Sequence, residues 1–364
     1  MGKNVLISTF NNSLNNYGAV FQSYALSKNV EKLGYKPIFL TLQRRNSSSF
    51  VQPKKTLKRR IKEKAAAFST KSTKPMKIER AKKFKAFIAE NQNQVRYKDL
   101  DELTANPPRA DVYLSGSDQV WNPRSLHKEL MLSFAPDEAL LVSYAASMGA
   151  EKVPPENEEI FAKYISRYDA VSVREDTIAD VIKGYTDKPI NQHVDPVFLL
   201  DKNEWITLAK PYEKLKFEKY IMLYMIEFDG KLVKKFKKLR KETGLPLVLV
   251  TLSGRRRGFA DLAVLDASPE EFLQILSGAE MVVASSFHGC ALSVVFNKPF
   301  ISISGKDKPT RIESMLRHFG LEKQNNAELS LENAKIDYDS VNEKIKEDRI
   351  ISEKYLTEIF SMEK

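Results

Sequence analysis

The stretch Met281-Val282-Val283-Ala284-Ser285-Ser286-Phe287-His288-Gly289 reads as a buried strand over 281–284 and a turn into a helix. His288 therefore falls at the carboxyl end of a strand, where open α/β sheets bind ligands, beside a helix start whose free N–H groups and positive partial charge favour an anion. An imidazole in that position exchanges protons near neutral pH. On this local pattern alone, a capping or core histidine is the simpler reading.

Strand signals at Tyr220–Ile226, Leu247–Leu252 and Phe300–Ile303 flank this stretch, with helical patterns between them. Pro269 opens one helix behind Ser268 as N-cap, and Thr310 to Phe319 forms another. The first half alternates similarly, with strands at Val5-Leu6-Ile7, Pro37–Leu42, Asp111–Ser115, Ala139–Ala145 and Ala170–Val173. Such alternation predicts parallel βαβ units and an α/β fold of two Rossmann-like lobes. We expect an N-terminal domain over 1–200, a C-terminal domain over 201–340, and a last helix within 341–364 packing back across the junction. No internal repeat is evident.

With 364 residues, 42% hydrophobic and 29% charged, the chain can bury a sizeable core. Its only cysteine, Cys290, excludes a disulfide framework and fits a reducing compartment. Residues 1–10 lack a signal-peptide pattern, and the longest apolar stretch, Met281 to Phe296, is too short and polar to span a bilayer, so a cytoplasmic protein is expected. The net charge of +11 is local: residues 44–85 hold sixteen Lys/Arg against two acids, while the remainder has 42 basic and 45 acidic residues. A chain slightly acidic outside one segment argues against nucleic-acid binding.

Residues 44–90 read as a basic helical insertion in the first lobe. Leu57, Ile61, Ala65 and Phe68 recur at helical spacing, as do Ala81, Phe84, Phe87 and Ile88. Two readings stay open: contact with an anionic membrane surface at the inner face of the plasma membrane, or a helix pair docked on the core.

No G-x-G-x-x-G, Walker A loop or H-E-x-x-H occurs, and His127, His193, His288 and His318 lack ligand spacing, so no metal or cofactor is expected. Arg174 ends the strand Val171–Val173, while Lys306, Lys308 and Arg311 follow Phe300–Ile303. Cations at strand ends in both halves suit a shared anion, although each alone reads as a surface charge. His193 and Asp195 fit an acid/base pair on one strand face or, more simply, an Asp-Pro turn. Ser115 to Pro123 suits a sugar, with Ser117, Asp118 and Asn122 for hydroxyls and Trp121 for a ring face; a tight loop anchored by Trp121 fits equally. Gly254 to Gly258 reads as a solvated basic turn.

Together, several blocks resemble the polysaccharide pyruvyl transferase family over roughly residues 4–321. They are Asn16-Tyr17-Gly18 with Gln22-Ser23-Tyr24-Ala25-Leu26, Ser115 to Asn122, Ser172-Val173-Arg174-Glu175, Asp195 to Leu200, Ser286 to Ala291, and Asn297 to Ile301, in that order. The resemblance implies a two-lobed fold like the GT-B glycosyltransferases. It also implies transfer of pyruvate from phosphoenolpyruvate to two sugar hydroxyls, forming a cyclic ketal in surface-polysaccharide biosynthesis without a cofactor.

By the same resemblance His288 is the catalytic group and Arg174 binds phosphoenolpyruvate, with Ser286 and Phe287 in the histidine's block. Some members carry an arginine where this chain has Ser286, which leaves Lys306 or Arg311 to complete the anion grip. Asn16, Gly18, Gln22, Ser117, Asp118, Trp121 and Asn122 fall in the blocks assigned to the sugar acceptor, which is expected to be lipid-linked. The alternatives are a GT-B-type glycosyltransferase using a nucleotide sugar, and a non-catalytic capsule-assembly protein that binds glycan or membrane through the basic segment.

Overall fold

Two parallel sheets of the same strand order organise the chain in this computed structural model, which describes residues 3–43, 73–226, 228–252, 257–304 and 311–363. The first contains β1 (Asn4–Ser8), β2 (Lys36–Leu42), β3 (Gln94–Tyr97), β4 (Val112–Ser115) and β5 (Leu141–Ser143), ordered β3-β2-β1-β4-β5. Beside β5 lie β6 (Val171–Val173) and β7 (Ile190–Gln192), joined to it by parallel bridges at Val142–Ala170 and Ala146–Val173. The second sheet contains β8 (Ile221–Tyr224), β9 (Leu247–Val250), β10 (Leu262–Val264), β11 (Met281–Ala284) and β12 (Phe300–Ser302), ordered β10-β9-β8-β11-β12.

The strand order reverses beside the first strand of each sheet, the place where doubly wound folds open a ligand crevice. The central strands β4, β8, β9 and β11 are buried at every position, as sheets covered on both faces require. The expected strands are present within a few residues. Sequence reading missed β3, β7 and β10 because each is three or four residues long and part polar or only partly buried; their pairing comes from the neighbouring strand.

The helices that shape the site are α1 (Tyr17–Lys32), α2 (Lys74–Asn91), α3 (Asp176–Ile182), α4 (Pro269–Ser277), α5 (Phe287–Val295), α6 (Arg311–His318) and α7 (Asp339–Ser361). Ser268 and Glu271 form a reciprocal capping box around Pro269 at the start of α4. The chain leaves α5 through Asn297, whose φ of 54° a short amide side chain tolerates, and Pro299 then steers it into β12.

Helices tie the lobes together. Tyr17 and Phe21 of α1 share one apolar cluster with Trp205, Tyr224 and Phe272, and the Tyr17 hydroxyl donates to the Ala267 carbonyl at 2.8 Å. α7 places Val341 and Ile345 in that cluster, and Tyr355, Leu356, Ile359 and Phe360 against Val5 and Ile7 of the first sheet.

The end of the basic insertion docks on protein. Phe84, Phe87 and Ile88 are buried in the shared cluster, Arg80 donates to the Leu265 carbonyl at 3.0 Å, and Lys83 lies 2.7 Å from Glu271. The apolar stripe of α2 is thus consumed internally, in line with the docked-helix alternative for this part of the insertion. Leu57, Ile61, Ala65 and Phe68 lie outside the described residues, as do Arg255, Arg256, Lys306 and Lys308. Among the described residues, no helix is long and apolar enough to cross a membrane.

Candidate active site

β11 delivers His288 to the first turn of α5, and the start of α1 receives it from the opposite lobe. A Cβ built on Gly18 would lie 2.1 Å from Nδ1 of His288, so only glycine allows the two helix starts to meet. The imidazole is buried, with Nε2 3.4 Å from Oδ2 of Asp195; among the described residues Nε2 has no hydrogen-bond partner, so the contact is electrostatic rather than an aligned hydrogen bond.

Asp195 is the centre of the site. It leads the Asp-Pro turn, where Oδ1 accepts from the Val197 N–H at 3.1 Å. Its Oδ2 accepts from Nη1 of Arg174 at 2.5 Å and from the Ser117 hydroxyl at 3.2 Å. Burial opposes its charge, but His288, Arg174 and the Val197 N–H more than offset this and hold the carboxyl well below the usual range. The expected strand-end cations thus meet the imidazole through a carboxylate that sequence reading took mainly for a turn residue.

Arg174 follows β6 and is buried. Burial favours its neutral form, yet Glu175, which accepts from Nε at 2.8 Å, and Asp195 keep it charged. Its Nη2 is buried without a hydrogen-bond partner among the described residues. The Phe287 ring packs under this guanidinium, 4.2 Å from its centre, and 5.9 Å from that of Arg311. Arg311 donates to Oδ1 of Asp118 at 3.0 Å, while Ser314 and Arg317 bond Asp176, so α6 is tied to the first lobe along its length. Desolvation lowers the Arg311 pKa, and the nearby Arg174 charge adds to that effect.

A cavity of about 200 Å³ opens beside this cluster, walled by Arg174, Asp195, Phe287, Arg311 and side chains of α6 and α7. His288 is not part of the wall; Asp195 and Phe287 stand between the cavity and its ring.

The remaining predicted residues divide. Ser286 is the N-cap residue of α5 and is hydrogen-bonded with the Tyr224 phenol, away from the cavity wall. Asn16 is exposed and caps α1 through the Ala19 N–H. Asn122 is half-buried, and its side-chain Oδ1 accepts from the Arg124 N–H at 2.9 Å. Asp118 is bound to Arg311 and holds a left-handed φ of 71° that few side chains accept.

Two acceptor assignments are corrected. Gln22 is wholly buried, its amide nitrogen shared among Thr9, Phe10 and Ala19. Trp121 is 0% exposed, with its indole N–H on the Tyr168 hydroxyl at 3.3 Å, so no ring face is available to a sugar. Trp121→Ala should therefore cost about 3–5 kcal/mol of stability and leave acceptor saturation unchanged, as chemical unfolding and kinetics at a permissive temperature will show. The His193–Asp195 pair also does not form. β7 ends at Gln192, and the His193 ring turns to Ser172 Oγ at 2.8 Å and the Tyr355 ring. Burial lowers its pKa to about 4, leaving the ring neutral at pH 7.

Solved structures share this architecture at very low identity. A UDP-GlcNAc 2-epimerase from Methanocaldococcus jannaschii is 9% identical at a TM-score of 0.53, covering 95% of this chain and 92% of its own. The Neisseria meningitidis UDP-GlcNAc 2-epimerase, solved bound to UDP-GlcNAc, is 10% identical at 0.52 and covers 99% of both chains. Anabaena HepE, solved with UDP and glucose, is 8% identical at 0.54 and also covers 99% of both. The two lobes thus have the GT-B architecture. No curated protein sequence matches significantly. The family described as polysaccharide pyruvyl transferase matches residues 16–307, a span that includes Gly18, Arg174, Asp195 and His288. This chain belongs to the polysaccharide pyruvyl transferase family.

Proposed function

We propose that this protein transfers pyruvate from phosphoenolpyruvate to two hydroxyls of a sugar, forming a cyclic ketal during surface-polysaccharide biosynthesis. The observation that carries the reading is the meeting of His288 from one lobe and Arg174 from the other on the single buried carboxylate of Asp195, beside a cavity with two guanidinium groups. Arg174 and Arg311 neutralise the donor. His288 supplies a proton to the C3 methylene, which makes C2 electrophilic, and an acceptor hydroxyl bonds to C2. The C2–O bond to phosphate breaks, inorganic phosphate leaves, and the second hydroxyl closes the ketal. The first hydroxyl's proton is balanced by the new methyl group, and the second's ends on phosphate or solvent.

Asp195 stabilises the imidazolium from 3.4 Å, and Nε2 of His288 carries the proton in this reading. General acid assistance of this kind contributes typically about 10²–10⁴-fold. The proposal includes a lipid-linked acceptor and a contact of basic residues 44–72 with an anionic inner leaflet, both supported by charge alone.

The test is phosphate release from phosphoenolpyruvate with galactose-, mannose- and N-acetylhexosamine-containing acceptors. Acceptor-dependent release, lost in His288→Ala and Arg174→Ala, is the expected result. Because structural neighbours were solved with UDP or UDP-GlcNAc, UDP-sugars serve as alternative donors. Their turnover without phosphoenolpyruvate would replace the proposal with glycosyl transfer, and no turnover of any donor would point to a binding protein.

A further inference from the structure

The helix Gly230–Thr243, which follows β8, carries seven Lys/Arg against one acid, Glu242, although bases and acids nearly balance over the chain outside residues 44–85. Its Phe236 and Leu239 pack on Ile221, Leu223, Leu247 and Leu249. Along β8 and β9 these alternate with Met222, Tyr224, Val248 and Val250, which belong to the cluster that holds α2 and α4. The helix therefore covers the sheet face opposite the lobe junction and the docked end of the insertion.

With Phe236 and Leu239 turned to the sheet, Lys231, Lys234, Lys237, Lys238 and Lys241 fall on the outward side, three or four residues apart. All five are exposed. Lys238 pairs with Glu242 at 3.5 Å and Glu328 at 3.2 Å. Among the described residues, Lys231, Lys234, Lys237 and Lys241 have no carboxylate within 4.0 Å. Such a stripe does not serve the helix itself: like charges at these spacings repel, and Lys231 in the first turn opposes the helix dipole. The Asp229 N-cap, Gly244 at a φ of 68° and the buried Phe236 and Leu239 hold the helix regardless.

The outward side is convex, and the residues on it are all lysine. It has no aromatic platform for stacking and no guanidinium fork for reading a single phosphate or carboxylate. Point charges on flexible stems suit a fluid sheet of anionic headgroups.

We infer that the outward face of this helix docks the second lobe on an anionic lipid bilayer. The inference is independent of the donor chemistry and of residues 44–72.

Co-sedimentation of the full-length protein with phosphatidylcholine vesicles, alone or with about one-third phosphatidylglycerol, tests it. Binding is expected on the anionic vesicles only, falling as salt rises from about 0.1 to about 0.5 M. Each lysine near such a surface contributes roughly fivefold in affinity, so changing Lys231, Lys234, Lys237 and Lys241 together to glutamine should weaken binding by at least about a hundredfold. The unfolding curve of that variant should match the wild type, and arginine at the same four positions should keep the binding. The glutamine variant retains residues 44–72, so its sedimenting as the wild type does overturns the inference, as does a wild-type protein that shows no preference for anionic lipid. Affinity for a soluble acidic polysaccharide or duplex DNA that falls in the variant while vesicle binding does not would overturn it in favour of a polyanion.

Discussion

Asp195→Asn is expected to lower acceptor-dependent phosphate release by about 10⁴-fold, the scale seen when a buried aspartate beside a catalytic imidazole is made neutral. The amide is nearly isosteric, so the turn at Pro196 and the Val197 N–H contact survive. What disappears is the charge that faces His288 and Arg174 together. Among the described residues, Glu175 is then the ion-pair partner left to Arg174, and breaking a buried pair on one side typically costs about 3–5 kcal/mol.

The pH dependence of that cost has a definite sign. The folded carboxyl titrates well below the unfolded value of about 4, so Asp195 stabilises the fold fully above that value and loses the contribution as pH falls toward the folded pKa. Unfolding curves of wild type and Asp195→Asn should differ by a constant amount from pH 5 to 7 and converge below about pH 4. Turnover of the variant within threefold of wild type would remove Asp195 from the mechanism.

Gly18→Ala should reduce kcat by about 10²-fold, the penalty typical of displacing a reacting group by about 1 Å. The added methyl would sit 2.1 Å from Nδ1, 2.4 Å from Cγ and 2.9 Å from Cβ of His288, so the side chain cannot escape by turning its tip. Either the imidazole moves or the lobes part, and both spoil its distance to Asp195. A double-mutant cycle separates this from general destabilisation: in a His288→Ala background the methyl should cost little further activity. An undiminished kcat in Gly18→Ala would show that the close approach of the helices is not needed for chemistry.

How much was legible in the chain varies by residue. The turn after Ala284 was readable because apolar runs ended by small polar residues mark strand ends, and Ser268, Pro269 and Glu271 announce a helix start by chemistry confined to four positions. Trp121 was ambiguous because an indole suits a sugar face or a core equally, and only its neighbours, with Tyr168 on its N–H, settle it in the core. Asp195 was misjudged for a related reason: a carboxylate before proline readily caps a turn, and nothing local says that its second oxygen also serves Arg174, 21 positions upstream, Ser117, 78 upstream, and His288, 93 downstream. His318, Lys344 and Asp348, which also line the cavity, gave no signal, since polar residues on such helices, and above all the charged run 342–349, ordinarily face water.

The sequence by itself determined the two α/β lobes, the strand-end positions of Arg174 and His288, and a basic charge confined to one segment, because periodicity, capping and composition act over a few neighbouring residues. Only the tertiary structure decided that Gly18 and Asp195 meet His288, that α2 spends its apolar face on the second lobe, and that α7 returns to wall the cavity. These are contacts between segments tens to hundreds of residues apart. They form because each lobe leaves apolar surface that the other covers, and that burial brings the charged strand ends together.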